Sequence, residues 1–171
     1  MNCNYCGKQT EDDSELLRQC KMHAEQGDAA AQCDLGCCYY QGTGVEKDPS
    51  KAVEWFLKAA AQGNAKAMNA VGNCYYLGTG IEKDPEKAIG WFLKAIEQGS
   101  TDAQCGLGVC YENGHGVEKD LAKAMECYTK AALQGNALAQ LLLGDCYEHG
   151  KGVEKDPVKA EELYLQAVLE K

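Results

Sequence analysis

Small and apolar residues along this chain recur at helical spacing. Ala31, Leu35, Cys38 and Gly42 stand at i, i+4, i+7 and i+11, which is one face of a helix. The same four-residue pattern returns at Ala67, Val71, Cys74 and Gly78, and twice more after that. Gly27, Gly63, Gly99 and Gly135 fix the period at 36 residues, and Tyr39 to Asp48 begins a series of four segments of the form Y-x-x-G-x-G-[VI]-E-K-D. The chain therefore reads as four repeats, 27–62, 63–98, 99–134 and 135–171, behind a head of residues 1–26. Together they are expected to form one continuous domain.

Each repeat predicts two helices. Asp28, Asn64, Ser100 and Asn136 share one column, are preferred N-cap types and precede alanine-rich runs, so the first helix of each repeat starts there. Gly42, Gly78, Gly114 and Gly150 end it, because glycine accepts the left-handed conformation that follows a helix. Asp48, Asp84, Asp120 and Asp156 cap the second helix, three of them followed by a proline at the first helical position and Asp120 by Leu121. Each second helix ends at Gln-Gly, with the next helix beginning at once. The residues 14–26 match such a second helix. Sequential helices are then antiparallel neighbours, and an all-α stacked array of helix pairs buries their faces.

The pattern of Ala31, Leu35-Gly36, Tyr39, Gly42, Gly44-Val45, Asp48, Lys51-Ala52, Trp55, Lys58-Ala59-Ala60 and Gln62-Gly63 resembles the Sel-one-like repeat, a relative of the tetratricopeptide repeat. The resemblance covers residues 27–170. It implies a right-handed αα superhelical solenoid and a role in protein–protein interaction, often as an adaptor. Some members of that family are secreted and cysteine-rich, with disulfides between neighbouring helices of a repeat. No regular second cysteine column exists here to form such pairs.

Comparing the four copies separates positions the fold demands from positions it leaves open. The columns headed by residues 30, 33, 34, 37 and 41 share a face of the first helix and vary freely. In tetratricopeptide-type arrays first helices line the concave surface, so this face is the expected binding surface for a partner peptide or helix. Its candidate residues, with the adjacent Tyr40 and Tyr76, are Asp34, Gln41, Lys66, Asn69, Asn73, Leu77, Asp102, Asn113, Leu138, Leu141, Asp145 and His149. Aromatic and apolar residues on an otherwise unconstrained face suit a binding groove. The competing reading is that a variable face is only solvated.

Composition adds a question about thiols. The chain has 11 cysteines in 171 residues, too long for the small disulfide-stapled class. Cys38, Cys74, Cys110 and Cys146 occupy one core column and read as small hydrophobes. Adjacent copies would sit roughly 8–10 Å apart, beyond the roughly 7 Å reach of a disulfide. Cys127 falls in the tryptophan column and also reads as core. Cys33 and Cys105 fall on the variable face. Cys33 and Cys37, one turn apart, are either a soft-metal or oxidation site or an accident of spacing. In the head, Cys3, Cys6, Cys20 and His23 form C-x2-C-x13-C-x2-H, a spacing that fits one structural zinc ion. An unliganded, redox-active dithiol fits it too.

The formal net charge of −9 opposes binding to nucleic acid or to an anionic membrane surface. The opening residues lack the apolar stretch of a secretory signal, so a cytoplasmic location is expected. No catalytic constellation is recognisable: His115 and His149 lie at loops, and pairing Cys110 with His115 as nucleophile and base has no support. The repeated Gly-x-Gly follows a helix rather than a strand and is no phosphate loop. The expectation is a non-enzymatic adaptor. A metal- or redox-responsive regulator acting through the head is the rival, and a hydrolase of the kind claimed for some cysteine-rich relatives is weaker still. Leu165, Val168 and Leu169 at the last helix form an apolar edge suited to weak self-association.

Overall fold

A computed structural model describes residues 13–169. Among them the chain is all helical: α1 (Asp13–Glu25), α2 (Ala29–Gln41), α3 (Pro49–Ala61), α4 (Ala65–Leu77), α5 (Pro85–Glu97), α6 (Thr101–Asn113), α7 (Leu121–Ala132), α8 (Ala137–His149) and α9 (Pro157–Leu169). This is the repeat solenoid the sequence predicts. No described helix is long and apolar enough to cross a membrane. The chain divides into two compact units at the Gln98–Gly99 repeat boundary.

The caps behave as their residue types require. Asp28, Asn64, Ser100 and Asn136 accept from the backbone N–H three residues on, at 2.7, 2.9, 3.2 and 2.9 Å. Asp48, Asp84, Asp120 and Asp156 do the same for the second helices, each at 3.0 Å. Each of these aspartates also donates its own N–H to the carbonyl of the repeated tyrosine, as Asp48 does to Tyr39 at 2.9 Å. That bond closes the loop and accounts for the fixed tyrosine-to-aspartate spacing. Gly42 has φ 80°, and its N–H returns to the Cys38 carbonyl.

Within the first unit α1 packs on α2, α2 on α3, α3 on α4 and α4 on α5. Ala31, Leu35 and Cys38 are buried as the pattern predicts, and so are their counterparts. A glycine inside each first helix, Gly36, Gly72, Gly108 or Gly144, lies directly against the ring of Phe56, Phe92, Tyr128 or Tyr164. A Cβ at any of the four would stand under 3 Å from that ring. The helix pair of each repeat can approach closely only because the side chain is missing there.

The second unit is built alike, with α6 on α7, α7 on α8 and α8 on α9. In both units the cap of one repeat reaches back to the first helix of the repeat before it. Asn64 Nδ2 donates to the Ala29 carbonyl at 3.4 Å, and Asn136 Nδ2 donates to Thr101 Oγ1 at 2.9 Å. Within a repeat, glutamines tie the end of the second helix to the first, Gln62 to Gln32 at 2.8 Å and Gln134 to Gln104 at 3.3 Å.

Candidate functional site

The variable face of the first helices splits into exposed and buried parts. Gln41, Lys66, Leu77, Asp102, Asn113, Leu138, Leu141 and His149 are exposed, and Tyr40, Asn73, Tyr76 and Asp145 are half-buried. Asp34 and Asn69 are buried; Asn69 does not belong to an open surface, and Asp34 reaches one only at the pocket wall where α2 and α4 begin. The same correction applies to Cys33, Cys37 and Cys105, which the sequence places on the variable face and which are also buried. Cys33 and Cys37 join Ala67, Ala70, Val71 and Cys74 in one cluster. The inner part of the variable face in repeat 1 is thus the contact between its first helix and that of repeat 2. Where α2 and α4 begin, Ala30, Asp34 and Lys66 line a shallow pocket of about 260 Å³.

The second unit carries an ionic network that the sequence reading missed. Lys151 donates to Glu112 Oε1 at 3.0 Å and to Asp145 Oδ2 at 2.5 Å, and His149 Nδ1 stands 3.0 Å from Asp145 Oδ1. The Lys151 ammonium holds the Asp145 carboxyl below the usual carboxylate range, and the two carboxylates hold Lys151 above its own. Glu112 has a further task, since the buried Tyr128 hydroxyl donates to its Oε2 at 2.8 Å. Tyr164 repeats this with Glu148 at 2.7 Å. In the corresponding columns repeats 1 and 2 carry Phe56 with Tyr40 and Phe92 with Tyr76. The aromatic that needs an acceptor has one, and the aromatic without a hydroxyl stands opposite a column that has no carboxylate. Covariation between these two columns was the available signal.

The thiols sort by burial. Cys74, Cys110 and Cys146 are buried, and burial pushes each thiol up to about 11. Cys105 is pushed up to about 12 by burial, and its Sγ donates to Asn136 Oδ1 at 3.5 Å. At neutral pH these groups are thiols, and nucleophilic chemistry needs the thiolate. The Cys110–His115 pairing is therefore chemically unsuited as nucleophile and base. Cys127 is half-buried rather than fully core.

Of the four residues expected to hold zinc, Cys3 and Cys6 lie outside the described residues. Cys20 is fully buried with Ala24, Ala31 and Leu35, its thiol donating to the Ala31 carbonyl at 3.5 Å. His23, three residues on, is exposed. The helix sends the two into different surroundings, so a shared tetrahedral set requires Cys20 to leave its cluster. Among the described residues no three His, Cys, Asp or Glu side chains are placed to hold a metal ion together.

The Sel1 repeat pattern matches residues 29–64, 65–100, 101–136 and 137–170. A Sel1 repeat protein from Oxalobacter formigenes superposes with TM-score 0.83 at 36% identity, over 92% of this chain and 62% of that one. A protective antigen of uropathogenic Escherichia coli superposes with TM-score 0.77 at 35% identity, over 93% of this chain and 34% of that one. The secretory immunoglobulin A-binding protein of Escherichia coli O6:H1 is 46% identical over 43 residues, 25% of this chain and 9% of that protein. The chain thus spans less than two thirds of each of these relatives.

Proposed function

Because this chain belongs to the Sel1 repeat family, we propose that it is a protein–protein interaction module, without catalysis of its own, that binds a peptide or helix of a partner on the face of its first helices. The observation that carries the reading is apolar exposure at columns that vary between the repeats. In the first unit α4 exposes Leu77 beside half-buried Tyr76, and in the second α8 exposes Leu138 and Leu141 near half-buried Asp145. Apolar side chains set among polar neighbours form the usual centre of a protein contact. The relative named for binding secretory immunoglobulin A supports protein as the ligand class. A cytoplasmic place of action suits a chain whose Cys74, Cys105, Cys110 and Cys146 are buried as small packing side chains.

Crosslinking followed by affinity capture from the cell that makes the protein tests this. The wild-type chain is compared with Leu77→Asp and Lys66→Glu, both at exposed positions. Expected is a partner recovered with the wild type and reduced about tenfold with Leu77→Asp, the size of a contact worth about 1.4 kcal/mol. Equal recovery by all three chains overturns the assignment of this face.

A further inference from the structure

We propose that the pocket between the starts of α2 and α4 takes the side-chain carboxamide of an asparagine or glutamine from a bound peptide. The amide N–H donates to the Asp34 carboxylate and the amide oxygen accepts from Lys66. This rests on the reading of the first-helix face as the contact surface and names what one part of that surface selects.

The pocket has two walls. Ala30, Cys33 and Asp34 stand at i, i+3 and i+4 and form one side of α2, while Asn64, Ala65 and Lys66, the cap and first turn of α4, form the other. Asn64 fixes the walls to each other, because its Oδ1 accepts from Ala67 N at 2.9 Å and its Nδ2 donates to the Ala29 carbonyl at 3.4 Å. Asp34 is only 8% exposed, and Lys66 is exposed at the rim. Holding a carboxylate so far out of water costs free energy, and packing gives no reason for it. Repeat 2 carries the buried Ala70 in the same column.

The second unit builds the same notch without the two charges. Where α6 and α8 begin, Cys105 and Asn136 recur, but Gly106 stands in the column of Asp34 and Leu138 in that of Lys66. The two helices still pack there, with Cys105 and Ala139 in one cluster. Asn136 Nδ2 donates across the notch to Asp102 Oδ1 at 2.7 Å, Asp102 being in the column of Ala30. The carboxylate and the ammonium are thus present together in one notch and absent together in the other, and the fold requires neither.

Opposite charges on the two walls decide the ligand. An ammonium or guanidinium group meets Lys66, and a carboxylate or phosphate meets Asp34. An aliphatic side chain would displace water from both charges and return no hydrogen bond to either. A carboxamide gives a donor to one wall and an acceptor to the other, both in charge-assisted bonds. Ala30, Cys33 and Ala65 are left to pack on its methylene stem. At about 260 Å³ the pocket is smaller than the roughly 300–1,000 Å³ of sites for whole small ligands, which suits one side chain of a longer chain. Lys66 and Leu77 lie three helical turns apart on one face of α4, so a peptide running along that helix meets both.

The probe is N-acetylglutamine methylamide, titrated into the nitrogen-15-labelled full chain and followed through its amide resonances. Saturable shifts are expected at Ala30, Asp34, Ala65 and Lys66, with Kd in the millimolar range, and the glutamate, lysine and norleucine counterparts should bind at least about fivefold more weakly. Asp34→Ala and Lys66→Ala should each weaken the glutamine probe by at least about fivefold as well. Thermal melts check that both variants fold; Ala70 shows that alanine fits the Asp34 column, and Lys66 is exposed.

No saturable shift at tens of millimolar overturns the proposal. So does equal or tighter binding of the glutamate or lysine counterpart, which gives the pocket to a charged group, and so does unchanged binding by Lys66→Ala. In the capture experiment, loss of the partner with Leu77→Asp upholds the first-helix face whatever the probe does, so failure of the pocket and failure of the general reading are separable.

Discussion

Gly108 and Gly90 both stand inside helices, α6 and α5, and they do opposite things. Gly108 lies against the Tyr128 ring, which leaves no room for a Cβ, while Gly90 is exposed with nothing within 4 Å. In urea titration Gly108→Ala should destabilise by about 1–3 kcal/mol through overpacking. Gly90→Ala should stabilise by about 0.5–1 kcal/mol, because alanine loses less backbone freedom on folding. A glycine column at Gly36, Gly72, Gly108 and Gly144 was visible in the sequence, but its partner ring lies 20 residues away on another helix, as Phe56 does from Gly36. Spacing within one helix does not reveal such a contact. The head shows the same limit, since Cys20 and His23 sit three apart and yet meet different surroundings.

At the scale of the element, helix starts were legible because a cap is a local device: residue type and the next three backbone N–H groups decide it. Asp84 accepts from Lys87 N at 3.0 Å and pairs with Lys87 Nζ at 2.8 Å. Lys87 holds this carboxyl below its ordinary value, chiefly through that side-chain contact. A group whose folded value is lowered stabilises above the unfolded value, and the gain is lost as pH falls through the folded one. Asp84→Ala should therefore destabilise the chain at pH 7, and acid denaturation curves should show that cost shrinking as pH falls through the carboxylate range. Asp84→Asn keeps an acceptor, so it should retain most of the stability and lose the pH dependence. The variable face was less legible. Columns 33, 34 and 37 vary between repeats, and variation has two physical causes: freedom, or packing against a neighbour that varies with it. Cys33 against Ala67 and Ala70 is the second kind. Only a contact between successive repeats distinguishes them.

At the scale of the molecule, the buried cysteines make stability depend on alkali. Cys110 sits near 11 in the folded chain against an ordinary value of 9.0. Such a thiol favours folding fully below pH 9, and its contribution shrinks as pH rises from 9 towards 11, because only the unfolded chain releases the proton. Urea midpoints measured from pH 8 to 10.5 should fall, and the gap between the wild type and Cys110→Ala should narrow over the same range. Pairing of Tyr128 with Glu112, and of Tyr164 with Glu148, reaches beyond stability into ancestry. A crossover between repeat copies whose breakpoint falls between columns 40 and 56 would set a buried tyrosine hydroxyl against a second tyrosine, or leave a carboxylate facing phenylalanine. Exchange within repeats 1 and 2, or within repeats 3 and 4, leaves the match intact, whereas exchange between the two kinds keeps it only when both columns move together. The pairing thus divides the four copies into two kinds that trade whole helix pairs of 36 residues more readily than single helices.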